Sequence, residues 1–186
     1  MNELIEGIGA EYRRYKALGE AALDQVRDDE LSTAASAGEN SLAVICWHLS
    51  GNLRSRFTDF LTTDGEKPWR NREEEFDDRV VSRDEFLRTW EAGWAVVLDA
   101  LGSLDDGQLF ATVTIRQQPL KVHDALFRSL AHTAYHVGQI VYIAKALRGD
   151  AWKSPTIPRG QSAAYNKDPH LERARAHTEA LNPPKA

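Results

Sequence analysis

Apolar residues recur at helical spacing in four long stretches of this chain, with polar or irregular connections between them. The first stretch, Asn2 to about Arg27, sets Leu4, Ile5, Ile8, Tyr12, Tyr15, Leu18, Ala22 and Val26 at three- and four-residue intervals with charged residues between. That is the pattern of an amphipathic helix. The second, Asn40 to Leu61, opens on a residue suited to an N-cap and carries Leu42, Cys46, Leu49, Leu53, Phe57 and Phe60 as its stripe. The third opens on Ser82-Arg83-Asp84-Glu85, a capping-box pattern. It presents Phe86, Leu87, Trp90, Trp94, Val97, Leu98 and Leu101 before stopping near Gly102. The fourth, Asp124 to Leu147 with Gly149 as its stop, is apolar on two sides: Ala125, Ile143 and Leu147 on one, Phe127, Leu130, Ala134 and Val141 on the other. A helix of that kind is expected to be buried on both sides.

The connections add two features. Phe110 to Ile115 includes Thr112, Val113, Thr114 and Ile115, which favour strand, and Gln117-Gln118-Pro119 can turn the chain back through Leu120 to Val122, so a small hairpin is expected. Thr62 to Val81 is a connection of about twenty residues, long enough to cover a site or to let consecutive helices run parallel. Four helices and no substantial sheet predict an all-α protein built as a four-helix bundle with the hairpin at one end. Residues 1–165 form the expected domain and residues 166–186 a polar tail with a short helix around Leu171 to Ala180.

Composition narrows the partners. The chain has 186 residues, a formal net charge of −5, and acidic and basic residues mixed along its length. No nucleic-acid surface or anionic-membrane surface is expected from that mixture. The longest apolar run, around Gln139 to Ala146, is too short to span a bilayer, and no secretory leader is expected from Met1-Asn2-Glu3, which lacks a positive flank and a following apolar block. Cys46 is the single cysteine, so no intrachain disulfide can form, which fits a cytoplasmic location.

The candidate chemistry lies in His132-Thr133-Ala134-Tyr135-His136. On a helix the two imidazoles project from one face, one turn apart, and can reach one ion. Spacing alone favours an ordinary pair of hydrogen-bonded histidines over a metal site. His48 adds weight, because it stands where the apolar stripe of the second helix gives way to Asn52, Ser55, Arg56 and Asp59, as the floor of a cleft would. Facing helices of a bundle are a common source of metal ligands. His123, His170 and His177 have no partner spacing and read as solvated, and Cys46 reads as core.

Several longer motifs accompany these histidines. They are Trp47-His48-Leu49-Ser50-Gly51-Asn52-Leu53-Arg54-Ser55-Arg56-Phe57, then Thr62-Thr63-Asp64-Gly65-Glu66-Lys67-Pro68-Trp69-Arg70-Asn71-Arg72, then His132-x-x-Tyr135-His136-Val137-Gly138-Gln139-Ile140, and Ile157-Pro158-Arg159-Gly160-Gln161-Ser162. In combination they make the chain resemble the DinB/YfiT-like superfamily of bacterial proteins, in an uncharacterised branch, over nearly all of residues 3 to 166. The resemblance implies a four-helix bundle with a long crossover between helices two and three. It also implies a divalent metal, usually zinc or nickel, on three histidines, which map to His48, His132 and His136. Better-understood relatives transfer low-molecular-weight thiols such as bacillithiol or mycothiol, or isomerise maleylpyruvate, so a thiol co-substrate is implied as well.

Three neutral imidazoles leave an ion with an open position, the catalytic pattern rather than the closed structural one. The leading expectation is a metal-dependent thiol transferase or hydrolase of small molecules. The alternatives are a non-catalytic metal-binding or stress-associated protein and a plain helical interaction module. Asn52, Arg56, Trp69 and Gln139 are the candidates for contacting a bound ligand, with the crossover and the Ile157 to Ser162 segment expected to wall an aromatic, basic cleft for a small polar or anionic molecule. No catalytic base is assigned, because Asp59 stands eleven residues from His48, about 16 Å along a helix. The apolar outer face of the fourth helix predicts a homodimer.

Overall fold

The four periodic stretches form four long helices in the computed structural model, which describes residues 2–34, 38–169 and 171. They are α1 (Glu3–Leu23), α2 (Leu42–Phe57), α3 (Arg83–Ser103) and α4 (Val122–Arg148). An antiparallel hairpin, β1 (Thr112–Ile115) and β2 (Gln118–Lys121), precedes α4, and a single turn of helix, α5 (Ser162–Tyr165), follows it. Among the described residues the protein is mostly helical, with one small sheet. Among the described residues no helix is long and apolar enough to cross a membrane.

Helix ends follow local chemistry more closely than periodicity does. α1 stops at Leu23, short of the expected Arg27, because the Arg83 guanidinium donates to the carbonyls of Leu23 and Val26 and pairs with Asp28. Its first turn is capped from a distance, since the Asp106 carboxylate accepts from the N–H groups of Leu4 and Ile5. α2 begins after Ser41 rather than Asn40. The Ser41 hydroxyl accepts from the Val44 N–H at 3.2 Å, and the helix ends at Phe57 ahead of Asp59, whose φ of 49° is incompatible with continuing it. Ser82 caps α3 by accepting from the Glu85 N–H. α4 starts at Val122, two residues earlier than expected, directly off the hairpin, and ends at Gly149 with φ 53°.

The long connection does what its length allows. Cys46 lies against Phe86 and Ser50 against Gly93, so α2 and α3 run in the same direction with the crossover carrying the chain back between them. α1 and α4 are likewise parallel, with Tyr12 donating its hydroxyl to the Leu126 carbonyl and Gly19 close to Val137. A 3-10 turn in the crossover, Glu73–Phe76, packs on α2. The core between the helices contains Tyr12, Leu49, Leu53, Trp90, Trp94, Leu126 and Ile140, all essentially inaccessible.

The outer face of α4 is partly covered within the chain. Leu130 and Val141 are half-buried and pack on the core, while Phe127 on the same face is exposed. Tyr135 and Tyr142, further round the helix, are exposed as well. The short helix expected around residues 171–180 lies outside the described residues apart from Leu171, which packs against Ala17. His170 and His177 also lie outside them.

Candidate metal centre

α4 is antiparallel to α2 across the cleft, and their facing sides bring three imidazoles together. His132 and His136, one turn apart on α4, meet His48 from α2. The His132 Nε2 atom lies 3.2 Å from Nε2 of His48 and 3.2 Å from Nε2 of His136. His48 and His136 are buried, and His132 is half-buried at the edge of the cleft.

The far nitrogens of the two buried rings fix what the near ones can do. His48 Nδ1 lies 3.0 Å from Glu75 Oε2, and a carboxylate only accepts, so that nitrogen carries the proton. His136 Nδ1 lies 2.8 Å from Gln139 Oε1, an acceptor whose amide nitrogen is turned to the Tyr135 hydroxyl. In both neutral rings Nε2 is left with a lone pair aimed at His132. A neutral His132 has one ring proton and cannot satisfy both contacts. His132 Nδ1 is itself buried with no hydrogen-bond partner among the described residues. Burial, then the neighbouring His136 and His48, press the His132 pKa down to about 3. Burial and His48 press that of His136 down to about 4, against the opposing hydrogen bond from Gln139. His132 and His136 therefore resist protonation, and unshared pairs gather between the rings. One cation resolves that, and nitrogens about 2.0–2.1 Å from a tetrahedral ion stand ~3.3 Å apart, close to the spacing here. The three histidines fit a divalent ion.

Glu75 is the residue that sequence reasoning missed. It comes from the crossover, 27 positions after His48, and no periodicity links the two. Burial raises its pKa, but the Arg70 guanidinium, at 2.7 and 2.8 Å from its two oxygens, and His48 outweigh burial and hold it below the ordinary carboxylate range. The Arg70 side chain is only 2% exposed, so carboxylate and guanidinium form a buried pair behind His48. Gly51 makes room for it, since a Cβ there would fall 2.1 Å from Glu75 Oε1. The only sequence signals for this arrangement are the Glu73-Glu74-Glu75 run and a glycine three residues past His48.

A cleft of about 480 Å³ opens beside His48 and His132. Asn52 and Arg56 line it, as the stripe on α2 predicts, and Arg70 borders it from the crossover. Gln139 is tied to His136 and is not among the residues lining the cleft. Trp69 faces elsewhere: it lines a second hollow of about 580 Å³ with Trp47, its ring 5.5 Å from the Arg54 guanidinium. The Ile157 to Ser162 segment does not wall the cleft either, because Ile157 packs with Leu18 beside Ala17 on α1. His123 stands apart against Phe110 and Phe127. The Cys46 thiol is buried against α3, and burial raises its pKa.

A family model described as protein of unknown function, DUF1572, matches residues 1–161, and the chain belongs to that family. No curated protein matches it.

Proposed function

We propose that this DUF1572 member is a metal-dependent enzyme acting on small molecules, with a divalent ion, zinc or nickel, held by His48, His132 and His136. The observation that carries the reading is the pair of buried imidazoles whose Nδ1 protons are committed to Glu75 and Gln139, so that both Nε2 lone pairs converge on His132. Acceptors on the far nitrogen are the usual means of orienting and strengthening a histidine ligand. When bound, the ion supplies Lewis-acid chemistry and lowers the pKa of water or a thiol. Glu75 holds the proton of His48 at Nδ1 and turns the ring toward the cleft. Gln139 does the same for His136. Asn52 and Arg56 offer polar contacts to a substrate along the cleft.

The finer family reading belongs to the same proposal. Parallel α2 and α3 joined by a long crossover are in keeping with a DinB/YfiT-like four-helix bundle. Analogy with that superfamily favours transfer of a low-molecular-weight thiol over hydrolysis. The second reading is a non-catalytic metal-binding or stress-associated protein, favoured by one fact: among the described residues lining the cleft there is no carboxylate to serve as a base. A homodimer remains part of the proposal, now on the strip of Phe127, Tyr135 and Tyr142.

The test begins with protein purified without an affinity tag. Elemental analysis is expected to find one divalent ion per chain, lost in His132→Ala and retained in His123→Ala. Equal metal in wild type and His132→Ala overturns the assignment. Zinc- or nickel-loaded protein is then screened with electrophiles, with and without a bacterial thiol. Turnover that needs metal but is indifferent to thiol selects hydrolysis, and metal binding without turnover selects the second reading.

A further inference from the structure

The cleft continues past the histidines, and its far end has a chemistry of its own. Arg56 stands two turns beyond His48 on α2, about 12 Å along the axis, and Arg128 one turn from His132 on α4, about 6 Å. The hairpin turn brings Arg116 over the same end. Phe57, Phe60, Ile115 and Leu120 give the space between an apolar lining.

The charges there do not cancel. Five arginines border the cleft, Arg56, Arg70, Arg72, Arg116 and Arg128, and no carboxylate does among the described residues. Three glutamates pair with them from behind. Glu75 takes Arg70, Glu73 takes Arg72, and Glu66 is shared by Arg56 at 3.3 Å and Arg116 at 2.8 Å. Arg128 has no ion-pair partner among the described residues. Five guanidiniums against three carboxylates leave about two positive charges in a concavity of a chain whose net charge is −5. Low-dielectric walls concentrate such a field, and the planar guanidinium matches the geometry of an oxyanion.

We propose that this end is an oxyanion subsite, in which Arg56, Arg116 and Arg128 take the carboxylate or phosphate of an elongated small molecule whose apolar middle lies on Phe57, Phe60, Ile115 and Leu120. The proposal rests on the metal reading only for what happens at the other end of that molecule. It thereby names the substrate class: an amphipathic acid or phosphate ester that presents its reactive group to the histidines.

The test is calorimetric titration of the untagged protein at low salt, before and after chelator treatment. The probes are 4-phenylbutyrate, phenyl phosphate and neutral 4-phenylbutyramide. Both anions are expected to bind the chelated protein and the amide not to, and raising the salt is expected to weaken binding. Arg128→Ala and Arg116→Gln are each expected to lower anion affinity about tenfold, the scale of one charge-assisted hydrogen bond, while retaining metal. The anion preferred, carboxylate or phosphate, identifies the headgroup. Anions that bind no better than the amide, or Arg128→Ala binding them as tightly as wild type, overturns the subsite. Metal content is measured on the same samples, so a protein that holds metal but no anion sinks this proposal alone. One that holds the anion but no metal sinks the metal centre alone.

Discussion

At one end of the cleft three histidines stand on two long helices, and at the other Arg56 and Arg128, from the same two helices, meet Arg116 of the hairpin turn, with the crossover loop folded against them. The histidine end is fixed twice over, by helical backbone and by Glu75 and Gln139 on the outer ring nitrogens. The arginine end is held by a network of loops. The Asp64 carboxylate accepts from the N–H groups of Glu66, Arg116 and Gln117, and Glu66 bridges Arg56 to Arg116. A metal ligand tolerates little displacement, so it gains from a stiff support. A group that reads a substrate tolerates more, and loops serve it well.

The largest effect is expected where the rigid end depends on a loop residue. Glu75→Ala removes the acceptor of His48 and leaves the Arg70 guanidinium buried without its partner. We expect metal affinity to fall about 10- to 100-fold, read by competition with a chelator. We also expect a loss of about 3 kcal/mol in urea unfolding from the broken buried pair. Wild-type metal affinity in this variant would mean that the helices alone orient His48. Gly51→Ala sharpens the same point from the helix side. Its Cβ must displace Glu75, so metal affinity is expected to fall about tenfold, toward the low end of that range, with Glu75 still present.

A smaller effect is expected at the loop end, and it depends on pH. Hydrogen bonds from the backbone N–H of Glu66, then Gln117 and Arg116, hold the Asp64 pKa down to about 2. The folded value is below the unfolded value near 3.8, so the stabilisation is present above about pH 4 and is lost as pH falls toward 2. Asp64→Asn is therefore expected to melt below wild type at neutral pH, with the gap closing between pH 4 and 2. Metal content at neutral pH is expected to be unchanged. A gap independent of pH would mean that Asp64 acts by shape alone.

The same division explains what the sequence made readable. His132 and His136 declare themselves because a helix converts four-residue spacing into adjacency, and His48 because a polar stripe crosses an apolar one. Hairpin and helices follow from local propensity. Glu75 and Arg116 act across the crossover and the turn, where spacing carries no register, so their partners emerge only once the chain is folded. Trp69 and the Ile157 to Ser162 segment show the converse. Each has the composition expected of a cleft wall, and each faces another part of the surface. The outer face of α4 illustrates a related point: periodicity shows that a face is apolar but not how much of it the chain itself covers, and Leu130 and Val141 are half-buried there while Phe127 is exposed.

The smallest effect lies in the hairpin turn, where backbone strain can be separated from the cleft. Arg116 and Gln117 have φ of 54° and 62°, between the paired residues Ile115 and Gln118. Two positive φ values make this a turn that ordinarily favours Asn-Gly. An L-residue in that conformation costs about 1–2 kcal/mol, whereas glycine gives back about 0.4–1 kcal/mol through the freedom of the unfolded chain. Gln117→Gly is therefore expected to stabilise the protein by about 0.5 kcal/mol, read as a higher urea midpoint at unchanged slope. The backbone N–H at position 117 still donates to Asp64, and the Gln117 side chain is not part of the cleft lining, so metal content and anion binding are expected to stay at wild-type levels. A gain in stability accompanied by weaker anion binding would mean that the strained turn itself aims Arg116, and the loop end would then be as tightly built as the histidine end. A loss of stability would mean that the Gln117 side chain supports the turn by more than the strain it carries.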